Sequence, residues 1–255
     1  MEKTIGIIIQ ARIGSTRLPE KVIRKIEGKT VLEHVIERAK RIKDVGKIIL
    51  ATTAKKEDDI LEKIAMDCGM FVFRGSENDV LDRFYQTAKK FGIDHIIRIT
   101  ADCPVIDSNI VDKVVNYYFE GGFDYVGNSH PPTFPDGMDI EIFNFGTLKR
   151  AWKNAVSNED REHVTSYIYK NPNEFKTGNF SSDKNYSDIR LTLDEKEDLE
   201  LIKKIYGNLY KSNPQFGLED IVNVFSAKPK LIEINSKIKS HPISRWRENQ
   251  QYYES

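Results

Sequence analysis

The sequence predicts an α/β protein, a three-layer α/β/α, Rossmann-like arrangement around a mostly parallel central sheet. Three observations carry that expectation. The first half alternates short apolar runs with amphipathic helical stretches at close spacing. Its opening run around Ile5, Ile7, Ile8 and Ile9 is continuously apolar, as a strand covered on both faces must be. With 39% hydrophobic and 31% charged residues among 255, the chain has enough apolar material for a sizeable core.

The elements follow in order. The first strand runs into a basic loop over 11–21. Thr30 and Glu33 then form a capping box, and Val31, Leu32, Val35, Ile36, Ala39 and Ile42 make a helical stripe. Residues 47–52 read as the second strand, and Ile60, Leu61, Ile64 and Ala65 mark a helix that Gly69 stops. A third strand over 70–73 leads to a helix over 79–91 with Leu81, Phe84, Tyr85 and Ala88 inward. The fourth strand is 95–100; Ser108 caps a helix to 119, ended by Gly121 and Gly122. Right-handed crossovers place the ends of these strands along one sheet edge. The second half is less regular: a proline-rich loop over 131–135, a half-exposed strand over 139–143, and helices over 147–155 and 161–169. Strands over 175–180 and 189–193 and helices over 196–209 and 218–225 follow. Nothing marks a repeat or linker, so one domain over 1–255 with a polar tail at 236–255 is expected.

Bulk properties narrow the function. Net charge is zero, which argues against a nucleic-acid partner or an anionic membrane and leaves positive charge as a local feature. No apolar run is long enough for membrane insertion, and no leader pattern opens the chain, so a cytoplasmic protein is the expectation. Cys68 and Cys103 are the only cysteines, which disfavours a disulfide framework or a cysteine zinc site. The histidines His34, His95, His130 and His241 stand without metal-ligand spacing and read as structural or exposed.

The loop after the first strand is the sharpest chemical signal. Gly14 lets backbone approach a ligand, Ser15 and Thr16 offer hydroxyls, and Arg12, Arg17 and Lys21 supply cations. A polyphosphate fits that set at the carboxyl end of a core strand. The loop is neither a Walker loop, since no Gly-Lys-Ser/Thr follows Gly14, nor a three-glycine dinucleotide fingerprint. Asp102 ends the fourth strand region at the same sheet edge, either holding Mg²⁺ against phosphate oxygens or capping the turn before Pro104. A second acid, Asp194, ends the run over 190–194 and favours the metal reading, with Glu197 and Asp198 assigned to helix capping. Ala11, Thr52, Arg74 and Thr100 stand at strand or loop ends where a nucleotide would lie. For Thr52 a hydroxyl satisfied in its turn, and for Arg74 a solvated charge, are the competing readings. Asp139 and Glu141 share a strand face, facing either the hydroxyls of a sugar acceptor or solvent; Arg161 and His163 are candidates for a substrate carboxylate.

Taken together the chain resembles the cytidylyltransferases that activate acidic sugars, in particular the spore coat polysaccharide biosynthesis protein F group. The 3-deoxy-manno-octulosonate and acylneuraminate cytidylyltransferases are more distant. The resemblance is carried by QARIGSTRLPEK at 10–21, GKTVLEHVIERAK at 28–40, RGSENDVLDRF at 74–84, RITADCPVID at 98–107, PDGMDIEIF at 135–143, REHVTSYI at 161–168 and LTLDEKEDL at 191–199. It implies a nucleotide-diphospho-sugar transferase fold, CTP as donor and Mg²⁺ as cofactor. It also implies that Arg12, Ser15, Arg17 and Lys21 hold the triphosphate, that Asp102 and Asp194 form the metal pair, and that Arg12, Lys21 and Asp102 are catalytic. Glu20 departs from the pattern, where glycine usually follows the proline. The reaction expected is nucleotidyl transfer to a sugar acid with release of diphosphate, serving surface polysaccharide or glycan synthesis. A glycosyltransferase of related fold and a non-catalytic nucleotide-binding protein are the alternatives. The helix over 79–91 and the aromatic tail (Trp246, Tyr252, Tyr253) are candidate homodimer contacts.

Overall fold

The protein is described by a computed structural model over residues 4–238. Strand β1 (Ile5–Gln10) leads through the basic loop to the small hairpin β2 (Lys25–Ile26) and β3 (Lys29–Thr30) and to α1 (Val31–Ala39). The Thr30 hydroxyl accepts from the Glu33 backbone N–H while the Glu33 carboxylate accepts from the Thr30 backbone N–H, completing the expected capping box. Then come β4 (Lys47–Thr53), α2 (Asp59–Asp67), β5 (Phe71–Gly75), α3 (Val80–Phe91), β6 (His95–Thr100) and α4 (Ser108–Gly121). The cap of α4 is Asp107, whose carboxylate accepts from Asn109 N–H, with Ser108 as the first helical residue.

The second half adds β7 (Tyr125–Gly127), β8 (Glu141–Asn144), α5 (Phe145–Asn154), α6 (Asn158–His163), α7 (Ser166–Lys170), β9 (Thr177–Asn179), α8 (Lys196–Leu209) and α9 (Leu218–Ala227). Three expectations change here. The half-exposed strand expected over 139–143 is β8, which starts at Glu141 and is buried except at Asn144 because β6 and β7 flank it. The helix expected over 161–169 is two helices, broken at Val164, whose φ of 63° is a strained value for a β-branched residue. The strand expected over 189–193 is an extended segment tied by a single bridge between Arg190 and Asp136, because it crosses the strand ends instead of joining the sheet.

The sheet order is β5-β4-β1-β6-β8-β7-β9. Strands β5, β4, β1 and β6 are mutually parallel, and β8 reverses direction against β6 and β7. This matches the expected mostly parallel sheet and its three layers. In β1, Ile7 and Ile9 join the core under α1, α4 and α8, while Ile8 joins the core under α3 and α5. The inward face of α3 is consumed by that second core, so it is not a free dimer contact. The tail aromatics and His241 lie outside the described residues.

What positions the site is the topology. From β1 the chain crosses to β4 on one side, and β6 later arrives on the other. The crevice at the carboxyl ends of β1 and β6 is therefore a switch point, where open α/β sheets bind ligands. The basic loop and Asp102 leave from those two ends.

Candidate active site

The basic loop is held from beneath by a residue that sequence reasoning passed over. Asp58, fully buried at the head of α2, accepts from the Ile13 N–H at 2.7 Å and from the Thr53 N–H and hydroxyl. One carboxylate thus ties the loop to the end of β4. At the far end of the loop Glu20 adopts φ 58°, ψ 23°, in the left-handed region, and the turn it starts brings Lys21 inward.

Lys21 joins the two expected acids. Its Nζ donates to Asp102 Oδ2 at 2.6 Å and to Asp194 Oδ1 at 2.7 Å. Burial pulls its ammonium down, but the two carboxylates more than offset that, so it sits above the ordinary lysine range. Burial likewise pushes the Asp102 carboxyl up, and the charge and hydrogen bond of Lys21 outweigh it, leaving Asp102 below the usual carboxylate range. Asp194 also pairs with Arg17 at 3.0 Å and Arg190 at 3.1 Å. The reason the acids meet is the crossing segment: Leu193 N–H donates to the Asp102 carbonyl at 2.8 Å and Leu191 N–H to the Asp136 carbonyl at 2.6 Å.

Two clefts share this wall. The first, about 340 Å³, gathers Ala11, Arg12, Gly14, Ser15, Thr16, Arg17, Lys21, Thr100, Asp102, His163 and Asp194, all expected at the site. The second, about 250 Å³, has Asp136, Asp139, Glu141, Ser129, His130 and Arg190 on its far side. Arg98, Thr100, Asp102, His163 and Asp194 face both. The break at Val164 turns His163 and Thr165 toward the clefts.

Three expected residues are placed elsewhere. Thr52 is wholly buried in β4, on the side of β1 away from the crevice, and its hydroxyl has no hydrogen-bond partner among the described residues. Arg74 is a clasp, donating to the Thr53 and Lys55 carbonyls and to Asp59 and Glu62. Arg161 donates to Asp79 and to the Trp152 carbonyl, pinning α6 to the start of α3. Glu141 does line the second cleft, but it is already engaged: Arg98, the Tyr125 hydroxyl and the Thr165 hydroxyl all donate to it. It holds Arg98 in place instead of presenting a free carboxylate to a sugar.

Comparison with known proteins settles the family. A sequence model of the family described as Cytidylyltransferase matches residues 6–224. This chain belongs to that family. An uncharacterized protein of Methanocaldococcus jannaschii is 40% identical over 93% of this chain and 96% of its own length. The spore coat polysaccharide biosynthesis protein SpsF of Bacillus subtilis is 33% identical over 88% and 95%. The 3-deoxy-manno-octulosonate cytidylyltransferase of Trichlorobacter lovleyi matches at 30% over 44% of this chain and 43% of that one. Among solved structures, a cytidylyltransferase from Leptospira borgpetersenii superposes with a TM-score of 0.87 at 35% identity, covering 94% of this chain and all of that one.

As a nucleotidyltransferase of the cytidylyltransferase family, the protein has polar groups in its clefts that its motifs alone did not mark. Arg98 donates from Nε and Nη2 to Gln10 Oε1 and pairs with Glu141. Arg190 is shared among Asp136, Asp194 and Asp198, all within 3.1 Å. The available signal was placement: each arginine stands between apolar residues of a short run, HIIRIT and IRLTL. Asp139 is pushed up to about 7 by burial first and by the neighbouring charge of Asp136 second.

The acid pair suits a divalent ion. Both oxygens reach one nitrogen atom, and that ammonium already stands as a point charge between them. Among the described residues no group of three or more His, Cys, Asp or Glu side chains is arranged for a metal. Asp102 and Asp194 aim two hard oxygens at one point, within the one or two carboxylates that a small divalent ion takes beside phosphate and water.

Proposed function

We propose that this protein transfers the cytidylyl group of CTP to a hydroxyl of a sugar acid. The hydroxyl oxygen bonds to the α-phosphorus, the bond to the β-phosphate oxygen breaks, and diphosphate leaves. The observation that carries this reading is the pair of clefts meeting at one wall that includes Asp102 and Asp194, the two acids that Lys21 bridges from the first cleft. A donor in the cationic cleft and an acceptor in the other would bring their reacting atoms together there, and holding them so supplies much of the rate.

In this reading Arg12, Ser15, Thr16 and Arg17 bind the triphosphate, with Ala11, Gly14 and Thr100 giving close backbone or hydroxyl contact. Lys21 and Arg17 stabilise charge growing on the diphosphate. Asp102 and Asp194 would hold Mg²⁺, which when bound supplies charge neutralisation at the phosphates. His163, on both clefts, orients the acceptor, and Asp139 accepts hydrogen bonds from its hydroxyls. Asp139, with its carboxyl near neutrality, is also a better-matched acceptor for the hydroxyl proton than the firmly ionised Asp102. The sugar-acid class is supported by the partial relative named 3-deoxy-manno-octulosonate cytidylyltransferase, and a polysaccharide role by the name of the Bacillus subtilis relative. Residues 1–255 would act as one catalytic unit, and a cytoplasmic location suits a CTP-consuming enzyme.

The test is diphosphate release from each nucleoside triphosphate against a panel of acidic, neutral and phosphorylated sugars with Mg²⁺. Neutral and phosphorylated sugars belong in it because Arg98 and Arg190 are already engaged by carboxylates. The expected result is release only with CTP and a sugar acid. Turnover of a nucleotide sugar without diphosphate release from CTP would instead mark a glycosyltransferase.

A further inference from the structure

Arg83 lies on the inward face of α3 and is 2% exposed, yet it is a wall of the cationic cleft. Its Nη1 donates to the Ser76 carbonyl, and its Nε, itself closed off from solvent, has no hydrogen-bond partner among the described residues. The other cleft arginines at comparable depth are neutralised: Arg98 pairs with Glu141, and Arg190 with three aspartates. No ion pair within 4.0 Å reaches Arg83 among the described residues. Arg38, also buried without a carboxylate, is different in kind. It lies outside the clefts, donates to two carbonyls and the Tyr206 hydroxyl, and stacks on Phe216. Burial first, and the charge of Arg12 second, push the Arg83 guanidinium down to about 10. A buried cation with unused donors costs stability unless a ligand supplies acceptors.

The position of Arg83 says which part of a nucleotide supplies them. The acid wall at Lys21 and Arg17 lies at the end of the loop. Arg83 sits by the opposite end, where Glu77 pairs with Arg12 at 3.7 Å and the Ser76 carbonyl anchors the guanidinium. Val80, one turn earlier on α3, and Ala11 are apolar and line the same cleft, as does the Glu77 carboxylate. Apolar side chains suit the face of a base. We propose that Arg83 reads the base, its guanidinium donating to the adjacent O2 and N3 acceptors of cytosine and rejecting uracil, whose N3 carries a hydrogen. This rests on the CTP reading above and adds the residue that would enforce it. A bidentate guanidinium–base contact discriminates against the wrong base by about tenfold or more.

The experiment is calorimetric binding to the full chain in magnesium buffer, using CTP, UTP, 3-deaza-CTP (which lacks the N3 acceptor) and inorganic tripolyphosphate. Wild type is expected to bind CTP at least about tenfold tighter than UTP or 3-deaza-CTP. Arg83→Lys, which keeps the charge and loses the fork, is expected to lose that preference while its tripolyphosphate affinity stays within about threefold of wild type. A variant that keeps the wild-type CTP-to-UTP ratio, or that loses tripolyphosphate as strongly as CTP, overturns the assignment. Should the variant not fold, wild type decides alone: equal affinity for CTP and 3-deaza-CTP overturns it. Failure of wild type to bind any nucleoside triphosphate sinks the CTP reading itself, a result distinct from binding CTP without Arg83's help.

Discussion

The two clefts are opposites built around a common wall. In the first, the expected cations Arg12, Arg17 and Lys21 come from ten consecutive residues, and Asp58 braces their loop from below. In the second, Asp136, Asp139 and Glu141 face Arg98 and Arg190, and the lining is drawn from segments far apart in the chain. One is a local motif; the other is an assembly. Their chemistry differs accordingly. The first holds Arg12 and Arg17 near half exposed, in ion pairs at the surface with Glu77, Asp194 and Glu195 that a polyanion can replace. The second keeps its arginines for its own carboxylates, so it positions groups more than it attracts charge.

That contrast is sharpened most by removing Arg190. Asp198 is fully buried and accepts two hydrogen bonds from Arg190 at 3.0 Å. Arg190→Met should destabilise by about 3–5 kcal/mol, as breaking a buried pair leaves an uncompensated charge. Urea unfolding measures this, and a loss below about 1 kcal/mol would show the assembled wall to be dispensable. Asp102→Asn tests the shared wall instead. It should lower turnover about 100- to 1,000-fold, the range for deleting one preorganised electrostatic group, with a far smaller effect on unfolding. Near-normal diphosphate release at saturating Mg²⁺ would remove Asp102 from the chemistry.

Asp139 gives a pH signature belonging to the second cleft alone. Its carboxyl is raised by burial, then by Asp136, with Glu141 and Asp102 adding further negative charge. A raised carboxyl contributes stability that is present below the ordinary carboxylate range and is lost as pH rises through about 7. Asp139→Asn should therefore flatten the decline in stability between about pH 4 and 7, and lower diphosphate release if Asp139 takes the hydroxyl proton. Unfolding curves across that range check the first, and an unchanged slope would place Asp139 in a more solvated setting.

The smallest effect expected is at the first cleft's loop. Glu20 adopts φ 58°, a conformation that costs an L-residue about 1–2 kcal/mol and glycine little. Glu20→Gly should raise stability by up to about 1 kcal/mol, since glycine also frees the unfolded chain. Removing the negative charge should tighten CTP slightly, more at low salt. Destabilisation on thermal unfolding would mean the Glu20 side chain contributes a contact of its own.

The difference between the clefts is also the difference in what could be read beforehand. The parallel half of the sheet was legible because apolar runs at strand length and stripes at helical spacing are local properties, and β1, β4 and β6 fall where the patterns put them. The basic loop was legible for the same reason. Glu20's departure from glycine is visible in the sequence, and its backbone angles show what the departure strains. Arg74 and Arg161 looked like ligand groups, but they spend their donors on carbonyls and acids that folding brings to them. A guanidinium's partners are set by tertiary neighbours, and no spacing rule reports those.

By itself the sequence determined the strand–helix alternation, the phosphate-like loop and the family, since periodicity and contiguous motifs are encoded within a few residues of one another. Only the tertiary structure decided that Lys21 stands between Asp102 and Asp194, that Asp58 holds the loop, and that Glu141 serves Arg98. Those pairings span separations of 43 to 173 residues. They form because the chain crosses the strand ends and buries charges that must find partners there, a requirement of packing and desolvation that only the folded chain meets.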